Sequence, residues 1–211
     1  MLTVDLLRHG ALQGGIKYRG RTDDPLTSEG REAMDHVWQQ LADDIDCIVT
    51  SPLCRCAEPA RAWASYAGID CIIEPGLTEM NYGAWEGKTM ATIQHEYPGL
   101  LERWRANPTG MRPPCGESPE ELRARLTDWW EQFSETCNDA HILVVAHSGS
   151  LRMLIALMLE QTIAFTRTID MPYACLHRII YQHGLKTPLH QQYSYPAPIA
   201  QPHFILEETH F

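Results

Sequence analysis

Two histidines close apolar runs of the kind that form buried strands. Leu6-Leu7-Arg8-His9-Gly10 and Val144-Val145-Ala146-His147-Ser148-Gly149 both end in an imidazole followed by small residues. If the runs are parallel strands of one sheet, both rings emerge at the carboxyl edge, where α/β domains bind ligands. Each histidine also has an arginine nearby, Arg8 beside His9 and Arg152 one turn into the segment after His147, and Arg55 follows Thr50-Ser51-Pro52 at a third strand end. Planar guanidinium forks suit a phosphate dianion, and a helix opening at Ser148 would offer free N–H groups to the same anion. Gly10 and Gly149 are read as points where a ligand meets bare backbone. Glu79 supplies a carboxyl for proton transfer. Its rival Glu86 sits between Trp85 and Gly87 and is assigned to packing or capping. Arg19 and Arg21 stand open between solvated loop charges and substrate contacts, and Arg152 is read as a residue behind the site.

The elements that must hold these residues alternate along the chain. Thr3–Leu7, Asp46–Thr50, Asp70–Ile73, His141–Ala146 and Ala174–Tyr181 read as strands. Between them the apolar spacing predicts a helix capped by Thr27 and another with Ser51 as N-cap and Pro52 in its first turn, stopped at Gly68. Pro59 is expected to kink that second helix or split it. Ser118-Pro119-Glu120-Glu121 is a capping box opening a helix whose Leu122, Leu126, Trp129 and Phe133 face inward. The segment from Ser148 is apolar nearly all round, as a helix covered by other layers must be. This order implies an α/β three-layer sandwich, a mostly parallel central sheet with helices on both faces. One domain is expected over residues 1–184. It includes a lid excursion at about 74–117, with short helices near Thr89–Tyr97 and Gly99–Arg105. Residues 185–211 form a loose tail, with a short strand at His203–Leu206.

Composition narrows the partner. The chain has 211 residues, 44% of them apolar, and a formal charge of −10 without a basic block, which argues against nucleic acid and for a small molecule. No apolar run is long enough to span a membrane and no leader precedes the first strand, so a cytoplasmic protein is expected. Seven scattered cysteines without a C-x-x-C pair imply reduced thiols rather than a disulfide framework or a zinc site. No metal and no cofactor is expected, and the oligomeric state is not legible.

Together, Leu7-Arg8-His9-Gly10, Asp24-Pro25-Leu26-Thr27 with Gly30, Ser51-Pro52-Leu53 with Arg55, Glu79 with Tyr82-Gly83-Ala84-Trp85-Glu86-Gly87, Gly116-Glu117-Ser118 and Val145-Ala146-His147-Ser148-Gly149 resemble the histidine phosphatase superfamily, also called phosphoglycerate mutase-like. The wording of these motifs looks most like the bacterial α-ribazole phosphatases of cobalamin assembly. The resemblance implies that His9 is the nucleophile and forms a phosphohistidine. It makes Glu79 the proton donor and assigns Arg8, Arg55 and a protonated His147 to the phosphate pocket. Ala11 stands where the family often has Glu, and Gln13, Gly14 and Gly15 where an Asn is usual, so the first loop departs where the leaving group is recognised. Pro59 replaces a common Thr.

The activity expected is hydrolysis of a small phosphate ester; the six tryptophans read first as core and lid packing, with walls for an aromatic leaving group as the alternative for Trp85 and Trp104. Two alternatives stay open. A phosphoglycerate mutase would need a second anionic pocket, and the lid segment from Thr89 to Cys115 offers only Arg103, Arg105 and Arg112 against Glu96 and Glu102. A non-catalytic protein binding a phospho-ligand is the other.

Overall fold

The computed structural model describes residues 1–137, 139–181 and 188–193. Its elements are β1 (Leu2–Arg8), α1 (Ser28–Gln39), β2 (Cys47–Thr50), α2 (Cys54–Ala67), β3 (Asp70–Ile73), α3 (Met90–Glu96), α4 (Leu100–Ala106), α5 (Pro119–Thr136), β4 (His141–Ala146), α6 (Ser148–Met158), β5 (Leu176–Tyr181) and β6 (Leu189–Tyr193). The sheet order is β3-β2-β4-β1-β5-β6. The first four strands are mutually parallel, whereas β5 runs antiparallel to β1 and β6 antiparallel to β5.

Strand alternation divides the apolar residues between two cores. Val4, Leu6, Val144 and Ala146 pack with residues of α5, α6 and the lid, including Trp85, Leu122, Leu126 and Leu154. Leu7, Leu143 and Val145 point the other way, onto Met34 and Val37 of α1 and Cys56, Ala60 and Trp63 of α2. The expected three-layer sandwich is therefore what the chain forms. The anticipated caps also hold, since Thr27 accepts from the Gly30 N–H and Ser118 and Glu121 complete a reciprocal capping box.

The start of α2 differs from expectation. It begins at Cys54, not Pro52, and Ser51 does not cap it. The Ser51 N–H still pairs with the Val145 carbonyl at 3.0 Å, and its hydroxyl is 2.7 Å from Nε2 of His147. The cap comes from elsewhere in the chain, as the Asp23 carboxylate accepts from the Cys54 N–H at 2.9 Å. Pro59 does not split the helix, which runs on to Gly68 in the left-handed conformation.

The sheet also continues past the expected boundary at 184, because Leu189–Tyr193 forms β6. The strand expected at His203–Leu206 lies outside the described residues. Among those described, no helix is long and apolar enough to cross a membrane.

The excursion between β3 and α5 is pinned by Glu86. Its carboxylate accepts from the N–H groups of Gly20, Arg21, Thr22 and Tyr82 and from the Thr22 hydroxyl. Burial alone would raise this carboxyl, but those donors outweigh it and hold it below its usual value. Glu86 is thus the packing residue its neighbours indicated.

Candidate active site

Register brings the two histidines together. Arg8 pairs with Ala146 across the parallel β1–β4 ladder, so His9 and His147, each one residue further on, leave the sheet side by side. Their ring centroids are 5.3 Å apart at an interplanar angle of 60°.

The two rings are held differently. Nδ1 of His9 lies 2.8 Å from the Gly10 carbonyl, which only accepts, so Nδ1 carries the hydrogen and Nε2 keeps a free lone pair. Burial first, then the charges of Arg8 and Arg55, hold this imidazole well below its ordinary pKa. Nδ1 of His147 accepts from Nε of Arg55 at 3.0 Å. Its hydrogen is therefore on Nε2, which donates to Ser51 Oγ. Burial, reinforced by Arg55, His9 and Arg8, depresses this pKa as well. The expectation of a protonated His147 is corrected: a ring that accepts from a guanidinium in a buried, cationic setting is neutral.

Arg55, whose charge adds to burial in keeping His147 neutral, is itself almost wholly buried. Its Nη1 and Nη2 donate to the carbonyls of Thr22 and Gly20, so all three nitrogens are engaged within the chain. Arg55 and His147 adjoin the cleft in front of His9 without being part of its wall. That cleft, about 250 Å³ in volume, is lined on its polar side by Arg8, His9, Lys17, Arg19, Glu79 and Ser148. Leu12, Ile16, Tyr18, Tyr82, Met90 and Tyr173 form the rest of the wall.

Glu79 reaches the cleft docked on the first turn of α6. One oxygen accepts from the Gly149 N–H at 2.8 Å and the other from Ser150 and Met80 at 3.0 and 2.8 Å. The helix N-terminus thus holds a carboxylate of the chain itself. Both glycines read as ligand contacts are required by internal packing. A Cβ on Gly149 would fall 2.5 Å from Glu79 Oε1, and one on Gly10 would fall 2.0 Å from the Gly30 carbonyl oxygen.

Arg19 lines the cleft while bonded to Asp24 and the Gln13 carbonyl. The Arg21 side chain does not line it. Trp85 is fully buried and Trp104 faces a separate void of about 80 Å³ that also meets Arg152 and Arg167, so neither tryptophan walls the His9 cleft. Arg152 donates through Nε to the Ile169 carbonyl. Two contributors carried no readable signal. Tyr173 stacks on Arg8 and stands beside His9, and Ser51, read as a cap, is the partner of His147.

Residues 4–192 match the family model of the histidine phosphatase superfamily, branch 1. A probable phosphoglycerate mutase GpmB of Photorhabdus laumondii is 30% identical over 191 residues, 87% of this chain and 87% of that protein. A bifunctional protein of Mycobacterium tuberculosis is 32% identical over 159 residues, 74% of this chain, but the match spans only 43% of that protein's length. Among solved structures, the α-ribazole phosphatase from Shigella flexneri has a TM-score of 0.79 at 26% identity, covering 89% of this chain and 94% of its own. A mycobacterial glucosyl-3-phosphoglycerate phosphatase shares the fold, with a TM-score of 0.80 at 24% identity, covering 93% of this chain and 99% of its own. With its two strand-end histidines, its docked glutamate and a match running over most of its length, the chain belongs to the histidine phosphatase superfamily.

Proposed function

We propose that this chain is a phosphomonoesterase that hydrolyses a small phosphate ester through a phosphohistidine. The observation that carries the reading is the His9 ring, with Nδ1 committed to Gly10 and Nε2 free, in a cleft it shares with Arg8 and Glu79. In the first step Nε2 of His9 attacks phosphorus in line. An N–P bond forms as the P–O bond to the leaving group breaks, and Glu79, entering the step in its protonated form, delivers that proton to the departing oxygen and is left as the carboxylate. Water then attacks the phosphohistidine, Glu79 takes its proton, and His9 and inorganic phosphate are released. Arg8 and Arg19 stabilise charge on the equatorial oxygens. Arg55 and His147 act together in supporting the site, one holding the other neutral beside the nucleophile.

The finer reading is α-ribazole 5′-phosphate as substrate. Leu12, Ile16, Met90, Tyr18 and Tyr82 give the cleft an apolar side suited to a planar base, and the likeness to the Shigella enzyme supports it. Seven free cysteines suit a reducing compartment, the cytoplasm. The void bearing Arg152 and Arg167 is what favours a second reading, a mutase, since it could take a second anionic group.

One assay separates these readings. The protein and its His9→Ala variant are given α-ribazole 5′-phosphate, other phosphomonoesters, and 3-phosphoglycerate with and without a bisphosphate primer. Release of inorganic phosphate that is lost in His9→Ala is expected. Primer-dependent isomerisation without release would replace the reading by the mutase, and binding without turnover would replace it by a non-catalytic role.

A further inference from the structure

The segment leading into β5 takes no part in the steps above, yet it is fastened to the strand that carries the nucleophile. The Arg8 N–H donates to the Cys175 carbonyl at 3.1 Å and the Ala174 N–H to the His9 carbonyl at 3.2 Å. Nη1 of Arg8 donates to the Met171 carbonyl. Between these ties Tyr173 places its ring centroid 4.1 Å from Arg8 Cζ and 5.7 Å from the His9 ring. To do so the chain passes through Ala174 at φ 54°, a left-handed conformation that a Cβ disfavours and that persists only where the surroundings over-determine it.

These contacts leave the Arg8 guanidinium with distinct sides. Nη1 is tied to backbone and one face is covered by an aromatic ring. Nε is buried and has no hydrogen-bond partner among the described residues. A buried N–H left unpaired is costly, so the other contacts of this side chain must fix where its guanidinium sits.

We propose that Tyr173 is a positioning residue, whose ring face fixes the Arg8 guanidinium at the wall of the cleft, where it meets the transferred phosphoryl group. This rests on the reading that His9 and Arg8 receive that group. The electron-rich face attracts the cation, and the flat contact removes rotational freedom from a long side chain before the ligand arrives. The role belongs to the ring, not to the phenol hydroxyl.

The test uses 4-nitrophenyl phosphate as substrate and inorganic phosphate and orthovanadate as competitive inhibitors. Tyr173→Leu should weaken both inhibitors by about 2- to 30-fold, the range of a cation–π contact, and Tyr173→Phe should restore most of that loss. In an Arg8→Ala background Tyr173→Leu should add nothing, because residues acting as one unit are not additive. Should the leucine variant fail to fold, phenylalanines of increasing fluorination at position 173 keep the shape while draining the ring face, and the inhibition constants should rise stepwise. A flat fluorination series, a phenylalanine as poor as leucine, or an undiminished leucine effect without Arg8 would each overturn the proposal. His9→Ala serves as the separate control. If it hydrolyses the substrate at the parent rate, the underlying reading fails whatever position 173 does.

Discussion

The Glu79 carboxylate sits on the backbone N–H groups of Gly149 and Ser150, at 2.8 and 3.0 Å, so the first turn of α6 holds a carboxylate at the wall of the cleft. The contact requires glycine at 149. In Gly149→Ala the new methyl meets the end of a flexible side chain rather than backbone. The fold should survive while Glu79 shifts, and turnover of alkyl phosphates should fall on the order of 10²-fold, as a misplacement of this size allows. Thermal melting alongside steady-state rates checks this, and loss of the fold would show that the carboxylate cannot move.

Glu79→Gln should lower turnover of alkyl phosphates by about 10²- to 10⁴-fold, the usual contribution of a general acid. 4-Nitrophenyl phosphate, whose leaving group needs no proton, should suffer less. Equal losses on both esters would remove Glu79 from the acid role.

Acidity bears on His9 and His147 in a defined direction. Both are held neutral by burial and neighbouring arginines, so the nucleophile keeps its lone pair below the ordinary imidazole pKa. The acid limb of kcat/KM for 4-nitrophenyl phosphate should therefore lie below about 6.5. A limb at or above that value would contradict the depressed pKa of His9.

The same histidines couple stability to pH. A depressed folded pKa means that the unfolded chain binds more protons, so the contribution is present above about 6.5 and is lost as pH falls. His177, between the Asp170 carbonyl and His190, is pulled down from 6.5 to about 4 by burial. Denaturant unfolding at several pH values should show a decline on acidification. His177→Gln should flatten it by about 1.4 kcal/mol per pH unit over that window.

Asp5 is fully buried in the middle of β1. It accepts from Nε and Nη2 of Arg178 at 2.7 Å each and lies 2.9 Å from Nε2 of His141. Burial would raise its carboxyl, but Arg178 and His141 outweigh that and lower it. Asp5→Asn should cost about 3 kcal/mol of stability, as breaking a buried charge pair does, with kcat/KM of the folded enzyme unchanged. Equilibrium unfolding and steady-state rates at neutral pH measure both.

What was legible in the sequence was local. The strand-end histidines, the Thr27 and Ser118 caps and Glu79 each announce themselves within a few residues, and the alternation of apolar runs orders the layers. What was not legible depends on partners that meet only after folding. Ser51 obeys a local capping rule until His147 claims its hydroxyl. Nothing near Arg55 in the chain reveals that its Nε will meet His147 or that the carbonyls of Thr22 and Gly20 will each take a hydrogen from its outer nitrogens. Strand β6, Leu-His-Gln-Gln-Tyr, escapes notice because it lies at the sheet edge with mostly exposed side chains and needs no apolar alternation.

The register of β1 against β4 has a consequence for how mutations far from the cleft will behave. Side chains in a strand change face at every step, so slipping Leu7 from its place opposite Val145 by one position would send one imidazole to the wrong layer. Apolar residues such as Val4, Leu6, Ile142 and Val144 touch no reactant, yet the greasy match between the two strands is the gauge that spaces the histidines. An inactive variant with an intact cleft sequence would have its fault in that distant seam.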